Sequence, residues 1–408
     1  MTKDDSPKPV TVSLKELQEG TVPSSVLEDA FGPTSLGILL VRDLPVQFPS
    51  LRHQVLSYAS YLAALPTSEL AALENPSANY LTGWSLGRET LRPGVFDTFK
   101  GSYYVNCSPE SGTDGEQNEV VNQAEAYPDL LSYTSPNVWP SRASLPGFQP
   151  AFETLCSLII EVAGLVARAC DRYGEATIEG YRKHCLERYV RTSSTTKARL
   201  LHYFPPPSQA APASSSVGVL EEGSTQNATT DGDDSDDWCA THVDHGCLTG
   251  LTSAMFIDES TNPPTSTLPH PTTDDEPPSL SPLPELPKPP SPSTGLYIRS
   301  RTNTTVKVSI PRDCLAFQTG EALEIITQGR FRAVPHFVRG PEKGEGGDGR
   351  GGGRIARNTL AVFTQPNLHE PLSPSVPTAP EPGGTRTRTR SEQRTFADFC
   401  REVMVRNR

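Results

Sequence analysis

The chain has 408 residues, 40 of them proline and 31 glycine, and a formal net charge of −12. That length allows two or three domains, although one β-rich domain can be as large. An acidic chain with no basic stripe is a poor match for nucleic acid, whose phosphates must be met by lysine and arginine.

The opening residues, Met1 to Ser6, are polar and acidic and hold no apolar run of the kind a secretory signal needs. Eight cysteines are scattered with no Cys-x-x-Cys pair. This predicts free thiols in a reducing, cytoplasmic setting. No stretch is expected to span a membrane, because Glu153, Glu161, Arg168 and Asp171 interrupt the longest apolar helix.

In chain order, residues 10–13 alternate like a short strand, and Ser13 with Glu16 has the form of a helix capping box. Residues 37–41 are a compact apolar run between turn residues, a buried strand. Leu51, Val55, Tyr58, Leu62 and Leu65 recur at spacings of three and four, which predicts a helix over 49–65. Thr67 opens a shorter helix, and 101–106 reads as strand. The longest helix is predicted over 147–173, with Phe152, Leu155, Ile159, Val162 and Val166 on its core side. A more polar helix is expected over 176–190.

From Lys197 the texture changes to short apolar runs separated by turn residues, at 200–204, 247–251, 254–257, 296–298, 306–310, 315–317, 323–326, 333–338 and 359–363. Many short strands in succession predict an antiparallel sandwich or barrel, and a double-sheet jelly roll fits the count. Three inserts interrupt them: 205–237, rich in Pro, Ser, Ala and Asp; 259–294, very rich in Pro; and 340–353, rich in Gly. Their composition predicts mobile segments without a core. The PxxP spacing of 282–292 suits an SH3-like partner, although a plain spacer is the simpler reading. A Pro-rich and charged tail, 371–394, precedes a last amphipathic helix with Phe396, Phe399 and Val403 on one side.

The chemistry centres on His242-Val243-Asp244. If this run is strand, positions i and i+2 face one side, and an imidazole with a carboxylate supplies two of the three ligands of a non-haem Fe(II) site. His336, in a late strand, is the candidate third ligand. His53, His184 and His369 fall in helix or loop contexts, and His270 lies in the Pro-rich insert. His202 sits on a strand beside the site, and strand alternation turns His245 away from Asp244. Two histidines and one carboxylate leave three positions of an iron ion open, enough for a 2-oxoacid and oxygen. Arg357 and Thr359 are again i and i+2; a guanidinium grips a carboxylate through two parallel hydrogen bonds and a hydroxyl adds a third.

These stretches, 197–205 (KARLLHYFP), 242–251 (HVDHGCLTGL), 320–336 (GEALEIITQGRFRAVPH) and 357–363 (RNTLAVF), resemble in content and order the isopenicillin N synthase-like branch of the Fe(II)/2-oxoglutarate-dependent dioxygenases. The resemblance covers roughly 10–370 outside the inserts. It implies His242, Asp244 and His336 as iron ligands, and Arg357 with Thr359 as the holders of the distal carboxylate of 2-oxoglutarate. Tyr203 lies where the family often places a co-substrate tyrosine before a proline, but here Phe204 directly precedes Pro205. His336 and Arg357 are 21 positions apart, a longer gap than the family's, with the Gly-rich insert between them; surface loops lengthen at little thermodynamic cost.

The expected architecture is α+β: a distorted double-stranded β-helix, or jelly-roll barrel, over 197–370, supported by a helical and strand region over 1–196 and followed by the tail and helix of 371–408. The expected activity is oxidation of a small organic molecule by hydroxylation, desaturation or ring closure, with O2, Fe(II) and 2-oxoglutarate. Tyr103, Tyr104, Asn106 and the segment after Pro366 are expected pocket walls by the same resemblance. An iron oxidase without 2-oxoglutarate, a zinc hydrolase, and an interaction protein with a vestigial barrel remain as alternatives.

Overall fold

The computed structural model describes residues 7–88, 90–92, 95–107, 124–205, 237–265, 279–300, 304–340, 354–373 and 394–406. Most of the first and third inserts and of the tail lies outside the described residues. The strands, in chain order, are β1 (Val10–Ser13), β2 (Ile38–Arg42), β3 (Gly83–Leu86), β4 (Thr90–Arg92), β5 (Val95–Phe96), β6 (Lys100–Asn106), β7 (Lys197–Tyr203), β8 (Asp237–His242), β9 (Leu248–Thr252), β10 (Met255–Asp258), β11 (Gly295–Arg299), β12 (Thr305–Val308), β13 (Leu315–Thr319), β14 (His336–Arg339) and β15 (Ile355–Thr364).

They form a nine-stranded sheet, ordered β1-β2-β13-β9-β15-β7-β6-β3 with β10 also on β15, a four-stranded sheet, β12-β11-β14-β8, and a two-stranded ribbon, β4-β5. Strands from both ends of the chain thus share the larger sheet. All pairs are antiparallel except β1 with β2. The predicted capping box forms: Ser13 Oγ accepts from Glu16 N, and Glu16 returns to Ser13 N.

The helix Phe148–Thr177 buries Phe152, Leu155, Ile159, Val162 and Val166 against the helix Phe48–Ala63 and against β9 and β15. Each such side chain contributes about 1.5–3 kcal/mol by leaving water. By length and composition this helix is able to cross a membrane, contrary to the expectation from its four charged residues; here it is the core helix of the fold. It ends at Thr177, and the polar helix expected over 176–190 is only Cys185–Arg191. The reason is Asp171, buried in the long helix. Its carboxylate accepts from Leu186 N, Glu187 N and Tyr181 Oη at 2.8–2.9 Å and so caps a new helix that must begin separately.

Two further expectations are corrected. Residues 323–326, read as strand, lie in the helix Glu321–Ile326. Ala322, Leu323 and Ile326 are buried together at helical spacing, and two glutamates in the first turn suit a helix N-terminus. The stretch 279–294 of the Pro-rich insert is not a free spacer. Leu280 and Leu283 are buried in the core, and the backbone is tied to the helix Phe48–Ala63 through His53, Gln54, Ser57 and Tyr61. The proposed PxxP stretch is therefore built into the fold as a strap. All eight cysteines are free thiols.

Candidate metal and co-substrate site

β8 and β14 are neighbours, and their register sets His242 directly opposite His336. Cross-strand partners approach closely, and the two rings lie 4.3 Å apart between centroids. Asp244 does not share the strand with His242. β8 ends at His242, and Asp244 sits in the turn that follows. The turn still delivers it: its Oδ1 is 3.8 Å from His242 Nε2 and 3.9 Å from His336 Nε2. One ligand atom from each of the three lies within 4.8 Å of the others.

The partners around the three residues hold them in ligand orientation. His242 Nδ1 is 2.9 Å from the Ala240 carbonyl, an acceptor that orients the ring; despite burial, Cys239 and Asp244 raise this imidazole to about 9, so a metal binding at Nε2 would displace a proton. His336 Nδ1 meets the Val334 carbonyl at 3.2 Å and the Gln318 carboxamide at 2.7 Å. Burial favours the neutral form of His336, against the attraction of Asp244, and a metal binds the neutral imidazole. Asp244 Oδ2 accepts from Thr249 Oγ1 at 2.6 Å, leaving Oδ1 toward the histidines. The turn is anchored from below, where the Asp244 carbonyl accepts from Glu321 N at 2.8 Å. Gly246 makes the approach possible: a Cβ there would stand 2.6 Å from the Thr364 carbonyl. His245 points away, as expected, with Nδ1 2.5 Å from Glu321 Oε2.

Arg357 and Thr359 face the same cavity from β15, both largely buried. The Arg357 guanidinium lies 4.8 Å over the Tyr203 ring, which stacks in turn on Trp238. Its Nε and Nη1 have no hydrogen-bond partner among the described residues, and burial lowers its pKa while Tyr203 opposes the shift. A cation held in this way is complementary to an incoming carboxylate. Between the two, Asn358 faces outward. Its amide donates to Leu56 O and Ser60 Oγ, and its Oδ1 meets His202 Nδ1 at 2.8 Å. This buried network fastens β15 and β7 to the helix Phe48–Ala63. The sequence reading placed His202 beside the site but missed Asn358, Thr249 and Gln318. The signals were weak: a polar residue between Arg and Thr, and polar residues inside otherwise apolar strands.

The cavity measures about 300 Å³ and joins the His-Asp-His cluster to Arg357, Thr359 and Tyr203, with Leu201, Phe256, Leu296, Val338 and Phe363 among its apolar walls. The expected walls from the N-terminal half are elsewhere. Tyr103 packs among Phe148, Phe152 and Trp139, Tyr104 lies under Arg199, and Asn106 accepts from the buried ammonium of Lys197. After Pro366, Leu368 and Leu372 are core residues.

Whole-chain structural similarity follows the same lines. A full-length protein of Neurospora crassa, solved in complex with alpha-KG, superposes with a TM-score of 0.57 at 15% identity, covering 99% of this chain and 98% of that one. A protein of Caulobacter crescentus assigned to the 2OG-Fe(II) oxygenase family gives 0.59 at 16% identity, with 98% and 99% covered. JOX2, solved with 2OG, Fe and JA, gives 0.53 at 14% identity, with 99% and 89% covered. The chain has the fold of the 2OG-Fe(II) oxygenases. No protein-family model matches the sequence, and no curated protein resembles it in sequence. Within this oxygenase fold, two imidazole nitrogens and one carboxylate oxygen form a donor set suited to Fe(II) with open positions, whereas a closed structural zinc site would take a fourth protein ligand.

Proposed function

We propose that the protein is an Fe(II)- and 2-oxoglutarate-dependent oxygenase acting on a small organic molecule, and that its two sheets are the faces of a distorted double-stranded β-helix. One observation carries this reading: a single cavity joins the His242–Asp244–His336 cluster to a buried guanidinium whose Nε and Nη1 have no partner among the described residues. His242, Asp244 and His336 would hold the iron. Iron held there would supply oxidative decarboxylation of 2-oxoglutarate by O2, coupled to oxidation of a substrate C–H bond. Arg357 and Thr359 would grip the distal carboxylate of 2-oxoglutarate, with the Tyr203 ring beneath the guanidinium. Thr249 and the Ala240 and Val334 carbonyls keep the ligand atoms aimed, and the apolar walls keep water from the reacting centre. Eight free thiols support a reducing, cytoplasmic setting.

The test is anaerobic loading with Fe(II) and 2-oxoglutarate, followed by succinate measurement on admitting air. We expect one iron per chain in the native protein and none in His242→Ala or Asp244→Ala. Full iron occupancy in either variant sinks the ligand assignment, and iron-dependent turnover without succinate favours an oxidase that uses no 2-oxoglutarate.

A further inference from the structure

Leu286, Pro287, Lys288 and Pro289 of the strap line the cavity, and because Pro287, Lys288 and Pro289 are exposed, the strap marks its mouth. The strap is held in place. Leu286 N donates to Phe256 O, and Glu285 is gripped by the buried Arg52 and by Arg312, each 3.0 Å from its Oε1. Five basic side chains line the cavity, Arg199, Lys288, Lys307, Arg312 and Arg357, while Asp244 is the one carboxylate among the described lining residues. This is an unusual balance in a chain of net charge −12. A divalent metal on Asp244, with Arg357, balances the two carboxylates of 2-oxoglutarate, so the inner end of the cavity becomes neutral once loaded. The mouth does not. Among the described residues Arg312 has one carboxylate partner, Glu285, which it shares with Arg52, and Lys307 donates to the Pro292 carbonyl.

We propose that the primary substrate is an organic anion, a carboxylate on an apolar skeleton, whose charged group is held at the strap end of the cavity by Lys288 and Lys307. The skeleton then lies along Leu286, Leu296, Phe256 and Val308 toward the metal. Charges at a cavity mouth with low-dielectric walls also concentrate anions there. The inference rests on the oxygenase reading above for the direction in which the substrate enters.

The experiment is calorimetric titration of the protein, loaded with Fe(II) and 2-oxoglutarate without air, with 2-naphthoate and with 2-naphthamide, the same ring without the charge. We expect the acid to bind at least tenfold tighter than the amide. We expect that preference to fall to about twofold in Lys288→Glu/Lys307→Glu and to an intermediate value in Lys288→Gln, while affinity for the amide stays within twofold. Equal binding of acid and amide by the native protein, no binding of the acid, or a preference that survives both variants overturns the proposal. The oxygenase reading is tested separately by titrating 2-oxoglutarate into the iron-loaded protein. Loss of that binding with an intact preference for naphthoate strikes the co-substrate assignment and leaves the anion site standing.

Discussion

Replacing Arg357 with methionine should move two quantities in opposite directions. The guanidinium is buried, and its Nε and Nη1 have no partner among the described residues; each unsatisfied buried donor costs about 1–3 kcal/mol. The stack on Tyr203 returns about 0.5–2 kcal/mol. Methionine fills most of the volume with no polar atoms to satisfy. Arg357→Met is therefore expected to raise the stability of the ligand-free protein by about 1–3 kcal/mol. Binding runs the other way. Two parallel charge-assisted hydrogen bonds of about 1.5–3 kcal/mol each are lost, so the Kd for 2-oxoglutarate rises by about 10²–10⁴. Co-substrate at a hundred times the native Kd stabilises the native protein by about 2.7 kcal/mol and should leave the variant unchanged. Urea unfolding of the iron-loaded, oxygen-free protein, with and without 2-oxoglutarate, measures both. A ligand-free variant less stable than native, with the 2-oxoglutarate increment intact, would falsify the assignment and make Arg357 a structural residue.

Other variants probe the supports of the site. Gly246→Ala places a methyl 2.6 Å from the Thr364 carbonyl; the overpacking should cost about 1–3 kcal/mol and displace Asp244, which a weaker Fe(II) titration would register. Arg52→Met leaves Glu285 with Arg312 alone and the Ser253 carbonyl without its two donors. A loss of about 3–5 kcal/mol is expected, with faster proteolysis of the strap, and unchanged stability would mean that the ion pair does not hold it. His202 is pushed by burial from 6.5 to about 4, against the hydrogen bond of Asn358. The unfolded chain therefore takes a proton near pH 6.5 that the folded chain refuses until about pH 4. Stability is full above pH 6.5 and falls by about 3 kcal/mol on the way down to pH 4. His202→Asn should flatten that part of the profile, and an unaltered slope would remove His202 as its source.

What could be read from the sequence divides by the kind of constraint. The candidate residues that converge could be named because the chemistry dictates residue types: an imidazole, a carboxylate and a guanidinium have few substitutes. Their convergence was anticipated for a partly different reason from the one that holds. Alternation along one strand was expected to aim His242 and Asp244 together, whereas cross-strand register pairs His242 with His336 and a turn pinned by Glu321 N brings in Asp244. The helix Glu321–Ile326 was taken for strand because a four-residue apolar run has no resolvable period. The decision belongs to the backbone of the metal turn, whose carbonyls cap that helix.

The strap was misread for a more general reason. Proline-rich composition says that a segment cannot nucleate its own core, and from that the stretch was expected to be mobile. It says nothing about whether a neighbour will supply the missing partners. Here a helix does, because Ser57, His53 and Gln54 lie along one face and meet the backbone of the strap, while Leu280 and Leu283 fill the gap beside them. Proline suits this arrangement: an extended backbone with fixed φ gives up little entropy on docking and leaves carbonyls free to accept. The same reasoning separates the two ends of the cavity. The inner end, where His242, Asp244, His336 and Arg357 face one cavity, is written in local motifs. The mouth is set by which segment the helix Phe48–Ala63 captures, so Lys288 comes to line the cavity only through that capture.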